Sequence, residues 1–183
     1  MVAPASTISP DMRDRHSIRT PAIYPTPRWV FQNFWRIVAF GFGSGLLRPA
    51  PGTWGTLFAW LLWVLLFQGL SDTVICGGLI LAFGLGCLAC ERTGRALGVS
   101  DHGGMVWDEM VAFWLVLWLT PDTLTAQAIA FVLFRGFDIA KPQPVRYFDA
   151  RLRGGFGVMW DDIVAAAYSL LVMAILVALG AFS

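Results

Sequence analysis

Charge is scarce in this chain. Thirteen Lys and Arg against twelve Asp and Glu among 183 residues leave a net charge of +1, so the balance gives no reason to expect a nucleic-acid partner. Histidine is scarcer still: only His16 and His102 are present, too few for the paired motifs of the histidine-dependent lipid phosphatases. No cysteine begins a C-x5-R loop and no DxDx stretch occurs, which removes the cysteine phosphatases and the aspartate-nucleophile phosphatases. The three cysteines, Cys76, Cys87 and Cys90, share one apolar run. Cys87 and Cys90 form a CxxC, but without a second pair or a nearby histidine it indicates neither a disulfide framework nor a zinc site. No strand precedes the glycines, so a dinucleotide fold is excluded. The N-terminal 28 residues hold no apolar core of signal-peptide length, and no cleaved leader is expected.

What is abundant is hydrocarbon. With 57% hydrophobic residues and nine Trp the chain is far more apolar than a soluble domain, which makes it an integral membrane protein. Residues 1–28, polar and carrying Arg13, Arg15, Arg19 and Arg28, read as a mobile cytoplasmic tail, and 29–183 as one membrane domain. Residues 29–42 mix Trp and Phe with Gln32, Asn33 and Arg36, a pattern for a helix lying in the interface. Five apolar runs follow, at 57–70, 74–90, 106–120, 124–139 and 163–182. Several fall short of the roughly 20 residues a crossing needs, so their ends must extend into the polar motifs. The expectation is an all-α polytopic bundle of about five transmembrane helices plus the N-terminal interfacial helix.

Placing the N-terminus in the cytoplasm puts every Lys and Arg on that side or at its boundary. The same assignment gathers Asp101, His102, Asp108, Glu109, Asp138, Asp149, Asp161 and Asp162 there, with only Asp72 and Asp122 opposite. A positive-inside bias requires no acidic residues, so this co-location is a separate signal. Charges beside hydrocarbon are costly unless they pair, bind an ion or line a wet cavity, and the stretch 134–162 is crowded with them.

Asp108 and Glu109 open the third run, and Asp161 and Asp162 open the fifth after Gly154, Gly155 and Gly157, read as a flexible hinge. Acidic residues at a helix start complement the helix dipole, yet two adjacent anions at the membrane boundary repel unless a cation joins them. Two such doublets, with Asp138, suit Mg2+, which takes oxygen ligands and keeps water and phosphate oxygens. Neighbours on a helix point about 100° apart, so one member of each doublet faces the site. Arg135, Asp138 and Lys141 recur every third residue, either as an ion-pair ladder or as phosphate clamps around a further metal ligand. The loop at 41–57 offers Gly43, Ser44 and Thr53 as a phosphate cradle, with tight turns at a membrane re-entry as the alternative. His102, in a loop before the third run, is either structural or a general acid for a departing alkoxide.

Four ordered stretches, GFGSGLLRPAPGTWGTL, DHGGMVWDE, FRGFDIAKPQPVRYFD and GGFGVMWDD, closely resemble the bacterial phosphatidylglycerophosphatase A family over about residues 38–170. The resemblance implies a Mg2+-dependent phosphatase of the bacterial inner membrane, converting phosphatidylglycerophosphate to phosphatidylglycerol with its site facing the cytoplasm. It aligns Asp108, Glu109, Asp138, Asp161 and Asp162 with the family's acidic positions, and Arg135, Lys141, Arg146 and Asp149 with its FRxxDxxKPxPxRxxD motif. Departures fall at Ala112, Trp160 and Ala166, packing positions in the spans. Two other classes stay open, a small membrane transporter and a non-enzymatic membrane-assembly protein. The apolar span interiors argue against the first and the carboxylate doublets against the second. Oligomeric state is not legible in the sequence.

Overall fold

The structure is a computed structural model that describes residues 25–140 and 154–182, and the described residues are helical with no strand. Two short helices come first: α1 (Pro27–Phe31), whose start is capped by Thr26 Oγ1 accepting from Trp29 N at 3.2 Å, and α2 (Phe34–Ala39), capped by Asn33 Oδ1 accepting from Trp35 N at 3.0 Å. The single helix expected over 29–42 is therefore two short ones, and the break at Gln32–Asn33 leaves neither long enough to cross a bilayer. Arg36 sits over the Trp29 ring at 3.9 Å and Arg92 over the Trp35 ring at 4.1 Å.

A tight glycine turn, Gly41–Leu46, holds Phe42 and Gly43 at positive φ and leads into α3 (Pro51–Leu62), prolonged by one π turn, Trp63–Phe67. Helices α4 (Asp72–Leu97), α5 (Trp107–Trp118), α6 (Leu124–Ala140) and α7 (Gly154–Ala178) complete the bundle. α7 packs on α4, α5 and α6, while α3 packs on α5. α5 is thereby walled in by protein, and nine of its twelve residues are buried.

α4 and α7, at 26 and 25 residues, are long and apolar enough to cross a membrane. α5, at twelve residues, rises only about 18 Å, less than a hydrocarbon core, so the run at 106–120 is a buried core helix rather than a full crossing of its own. α4 and α7 do extend into the polar motifs, as their short apolar runs require.

Aromatic contacts fill the core: Phe113 stacks on Phe134 at 5.5 Å and meets Phe131 edge-on at 5.8 Å. Indole N–H groups tie α5 to its neighbours, Trp114 donating to Ala59 O and Trp107 to Ala82 O, each at 2.9 Å. The departures Ala112 and Ala166 are completely buried, and Trp160 stacks on Phe156. Gly154, Gly155 and Gly157 are not a hinge. They form the first turn of α7, and a Cβ on Gly155 would overlap the Cys87 carbonyl, so glycine here permits close helix approach.

Candidate active site

Three helices bring carboxylates together at one end of the bundle. Asp108 and Glu109 occupy the first turn of α5, where Asp108 Oδ1 accepts from Glu109 N at 3.0 Å. Asp138 lies near the end of α6 and Asp162 in the third turn of α7. Asp108 and Asp162, at 6% and 5% exposure, are buried charges. Asp162 is in hydrogen-bond contact with Asp138 and within electrostatic reach of Asp108 and Glu109. Two carboxyl groups at that contact repel unless a proton or a cation lies between them.

Among the described residues, one cation enters this group. Arg135 Nη1 lies 2.7 Å from Glu109 Oε2 and 2.6 Å from Asp138 Oδ2, with its side chain only 13% exposed. The i,i+3 spacing of Arg135 and Asp138 on α6 makes the second contact local, while the first links α6 to α5. Arg135 Nε is buried without a partner among the described residues. Among the described residues, four carboxylates and one guanidinium leave a formal excess of negative charge in a site largely shielded from water.

The start of α3 closes the site. A Cβ on Gly52 would overlap the Glu109 carboxylate and crowd Arg135 Nη2, so only glycine lets the helix approach this closely. Thr56, one turn on and fully buried, lies within hydrogen-bond distance of both Gly52 O, at 2.8 Å, and Glu109 Oε2, at 3.3 Å. The N–H groups of the first turn of an α-helix have no partner within it, and this start has no side-chain cap.

Of the residues singled out from the sequence, Asp108, Glu109, Asp138, Asp162 and Arg135 converge. Asp161 is buried too but, as Asp162's neighbour on α7, is turned about 100° from it. Thr53 sits in the first turn of α3. Gly43 faces the Phe31 ring and Ser44 Oγ donates to Gly41 O at 2.8 Å, so their contacts serve the turn and α1 rather than the carboxylates. His102 lines a separate cleft, its Nδ1 accepting from Gly104 N at 3.0 Å. Lys141, Arg146 and Asp149 lie outside the described residues.

Sequence reasoning missed Glu91, whose Oε2 accepts from Gly155 N at 2.8 Å and so caps the helix that carries Asp162. Its signal was faint: a single acid closing an apolar run, beside Arg92 and Arg95.

The family model for phosphatidylglycerophosphatase A matches residues 37–177. The chain belongs to that family. A phosphatidylglycerophosphatase A of Haemophilus influenzae is 49% identical over 139 residues, 75% of this chain and 85% of the relative. The Escherichia coli K12 phosphatidylglycerophosphatase A is 40% identical over 146 residues, covering 78% and 83%. A Bacteroides thetaiotaomicron protein bearing a provisional phosphatidylinositol-3-phosphatase name is 37% identical over 146 residues, covering 76% and 91%. No solved structure matches the chain. The segment matched to the phosphatidylglycerophosphatase A family contains the whole carboxylate cluster and excludes the polar tail.

The donor set fits a hard divalent cation by its chemistry, being oxygen throughout and in excess of the one guanidinium. Its side chains are not drawn into a cage: among the described residues no three His, Cys, Asp or Glu converge at metal-ligand spacing, and Arg135 Nη1 occupies the point where Glu109 and Asp138 meet.

Proposed function

We propose that the chain hydrolyses the terminal phosphate monoester of phosphatidylglycerophosphate, releasing phosphatidylglycerol and inorganic phosphate, in a Mg2+-dependent reaction. The observation that carries this reading is the convergence of Asp108, Glu109, Asp138 and Asp162 from three helices around Arg135. The printed names of the Haemophilus and Escherichia relatives support the substrate. The Bacteroides relative's name also describes a lipid phosphate monoesterase, which leaves the reaction class in place and bears only on the headgroup.

Asp108 and Asp162, the two carboxylates not paired with Arg135, are the principal ligands we assign to Mg2+, with Asp138 beside them. When bound, the ion would neutralise phosphate charge and lower the pKa of an attacking water. Arg135 would offer a phosphoryl oxygen the donors of its guanidinium fork that Glu109 and Asp138 do not take, and backbone N–H groups at the α3 start would complement another. Glu109, held by Arg135 and Thr56, keeps that fork oriented. As water attacks phosphorus, the bond to the glycerol oxygen breaks and the proton released by the water ends on the departing alkoxide.

A membrane setting accounts for the apolar surface. Leu81, Ile80, Val132 and Leu171, at 76%, 67%, 67% and 60% exposure, spread over α4, α6 and α7 and suit acyl chains rather than water. We infer a multi-pass protein of the inner membrane with the cluster at its cytoplasmic face, as the placement of cations in the sequence supports.

Phosphate release from phosphatidylglycerophosphate in neutral detergent micelles, with Mg2+ and with excess chelator, tests both parts. Release that requires Mg2+ is expected. Release indifferent to chelator would discard the metal, and no release from folded protein would discard the substrate.

A further inference from the structure

Beside the carboxylate cluster lies a cleft of about 340 Å³, which none of the chemistry above employs. Its walls come from the glycine turn and from the loop before α5, with Gly45, Arg48, Pro51, His102 and Gly104 among them. The two walls touch closely: a Cβ on Gly45 would overlap the Gly104 carbonyl. Their relative position is further fixed by Val106 N donating to Ala39 O at 2.9 Å.

Two groups give the cleft its chemistry. Arg48 is exposed and has no ion-pair partner among the described residues, unlike Arg135 and Arg95. His102 accepts from Gly104 N through Nδ1, which leaves its hydrogen on Nε2 and makes that atom a donor. The Phe40 ring, 5.9 Å from the imidazole centroid, supports its orientation. A guanidinium and an imidazole N–H in one polar cleft select an anion with several acceptor oxygens.

The cleft and the cluster share a wall. Pro51 lines the cleft, while Gly52, the next residue, backs directly onto Glu109 and Arg135. Consecutive Cα atoms are about 3.8 Å apart, so a single residue step at the start of α3 separates the walls of the two sites. The substrate assigned above carries two phosphates joined by a glycerol, a terminal monoester and an internal diester. We propose that the Arg48–His102 cleft binds the phosphodiester of the lipid while the terminal monoester is hydrolysed at the neighbouring carboxylates. This inference rests on the proposed substrate and supplies what selects it over lipids with a single phosphate.

Kinetics in neutral micelles, where the substrate is the sole source of phosphodiester, provide the test. Phosphatidylglycerophosphate is compared with phosphatidic acid, which has a monoester and no diester, in wild type, Arg48→Gln and Arg48→Lys. The wild type should prefer the bisphosphate lipid, and Arg48→Gln should shrink the ratio of kcat/KM values about tenfold, with Arg48→Lys recovering part of it. Added phosphatidylglycerol, a diester alone, should inhibit the wild type competitively and Arg48→Gln much less. Equal losses on both lipids, or an unchanged ratio with unchanged inhibition, would overturn the assignment. Failure of the substrate reading looks different, since folded wild type would then release no phosphate from the bisphosphate lipid. Calorimetric titration with glycerophosphoglycerol then decides the cleft by itself: binding lost in Arg48→Gln supports it, and no binding to wild type overturns it.

Discussion

The two ends of the bundle treat acidic residues in opposite ways. At one end Asp122 accepts from Gln68 Nε2 at 2.8 Å and from Gln127 Nε2 at 2.9 Å, Gln127 in turn accepts from Trp60 Nε1 at 2.7 Å, and Asp72 accepts from Trp118 Nε1 at 2.9 Å. Each carboxylate there is alone and matched by neutral donors, an arrangement complete without a further ligand. At the other end, about 25 Å away along α6, four carboxylates gather and two of them, Glu109 and Asp138, pair with Arg135. Neutral partners make a structural staple. Among the described residues, surplus negative charge around one guanidinium makes a site that calls for a further cation or proton.

The sharpest way to break this contrast is to remove charge at the crowded end. Asp162→Asn and Asp108→Asn should each lower Mg2+-dependent phosphate release by about 10³-fold, since an ion's stabilisation of the transition state amounts to several kcal/mol. Folded yield, read by size exclusion in detergent, should persist. Arg135→Ala comes next. It strands Glu109 and Asp138 without their cation, so it should cost about 3–5 kcal/mol in stability as well as most of the turnover, whereas Arg135→Lys should restore stability better than activity. Thermal unfolding measured beside turnover separates the two effects.

Thr56→Val probes the same end more gently. Removing the hydroxyl next to Glu109 should reduce kcat about tenfold with little change in KM or unfolding temperature. At the staple end, Gln127→Leu should leave turnover within twofold of wild type while costing about 1–2 kcal/mol in unfolding measurements. A large loss of turnover from Gln127→Leu would erase the distinction between the ends.

Much of the crowded end was legible in the chain because charge beside hydrocarbon is conspicuous. The doublets at 108–109 and 161–162 and the Arg135–Asp138 spacing pointed to it directly, whereas the mixed polarity of 29–42 suggested one interfacial helix and did not reveal the break at Gln32–Asn33. Which member of the second doublet turns inward was not legible, because the phase of α7 is set by packing on α4, α5 and α6. The reach of Glu109 to Thr56 and Arg135 depends on contacts 53 and 26 residues apart in the chain, which no local pattern encodes. The glycines misled for a related reason. Gly155 suggested a hinge but meets a facing carbonyl, and the turn at Gly43 and Ser44 suggested a cradle but spends its contacts on itself and α1.

Cation binding at the crowded end is tested most directly by electron paramagnetic resonance of Mn2+, a spectroscopic substitute for Mg2+, titrated into the detergent-solubilised protein. We expect bound Mn2+ in the wild type, displaced by Mg2+ and lost in the Asp108→Asn, Asp162→Asn double variant while Gln127→Leu retains it. Equal Mn2+ binding in the wild type and the double variant, or none in the wild type, would contradict the assignment of these carboxylates to a metal.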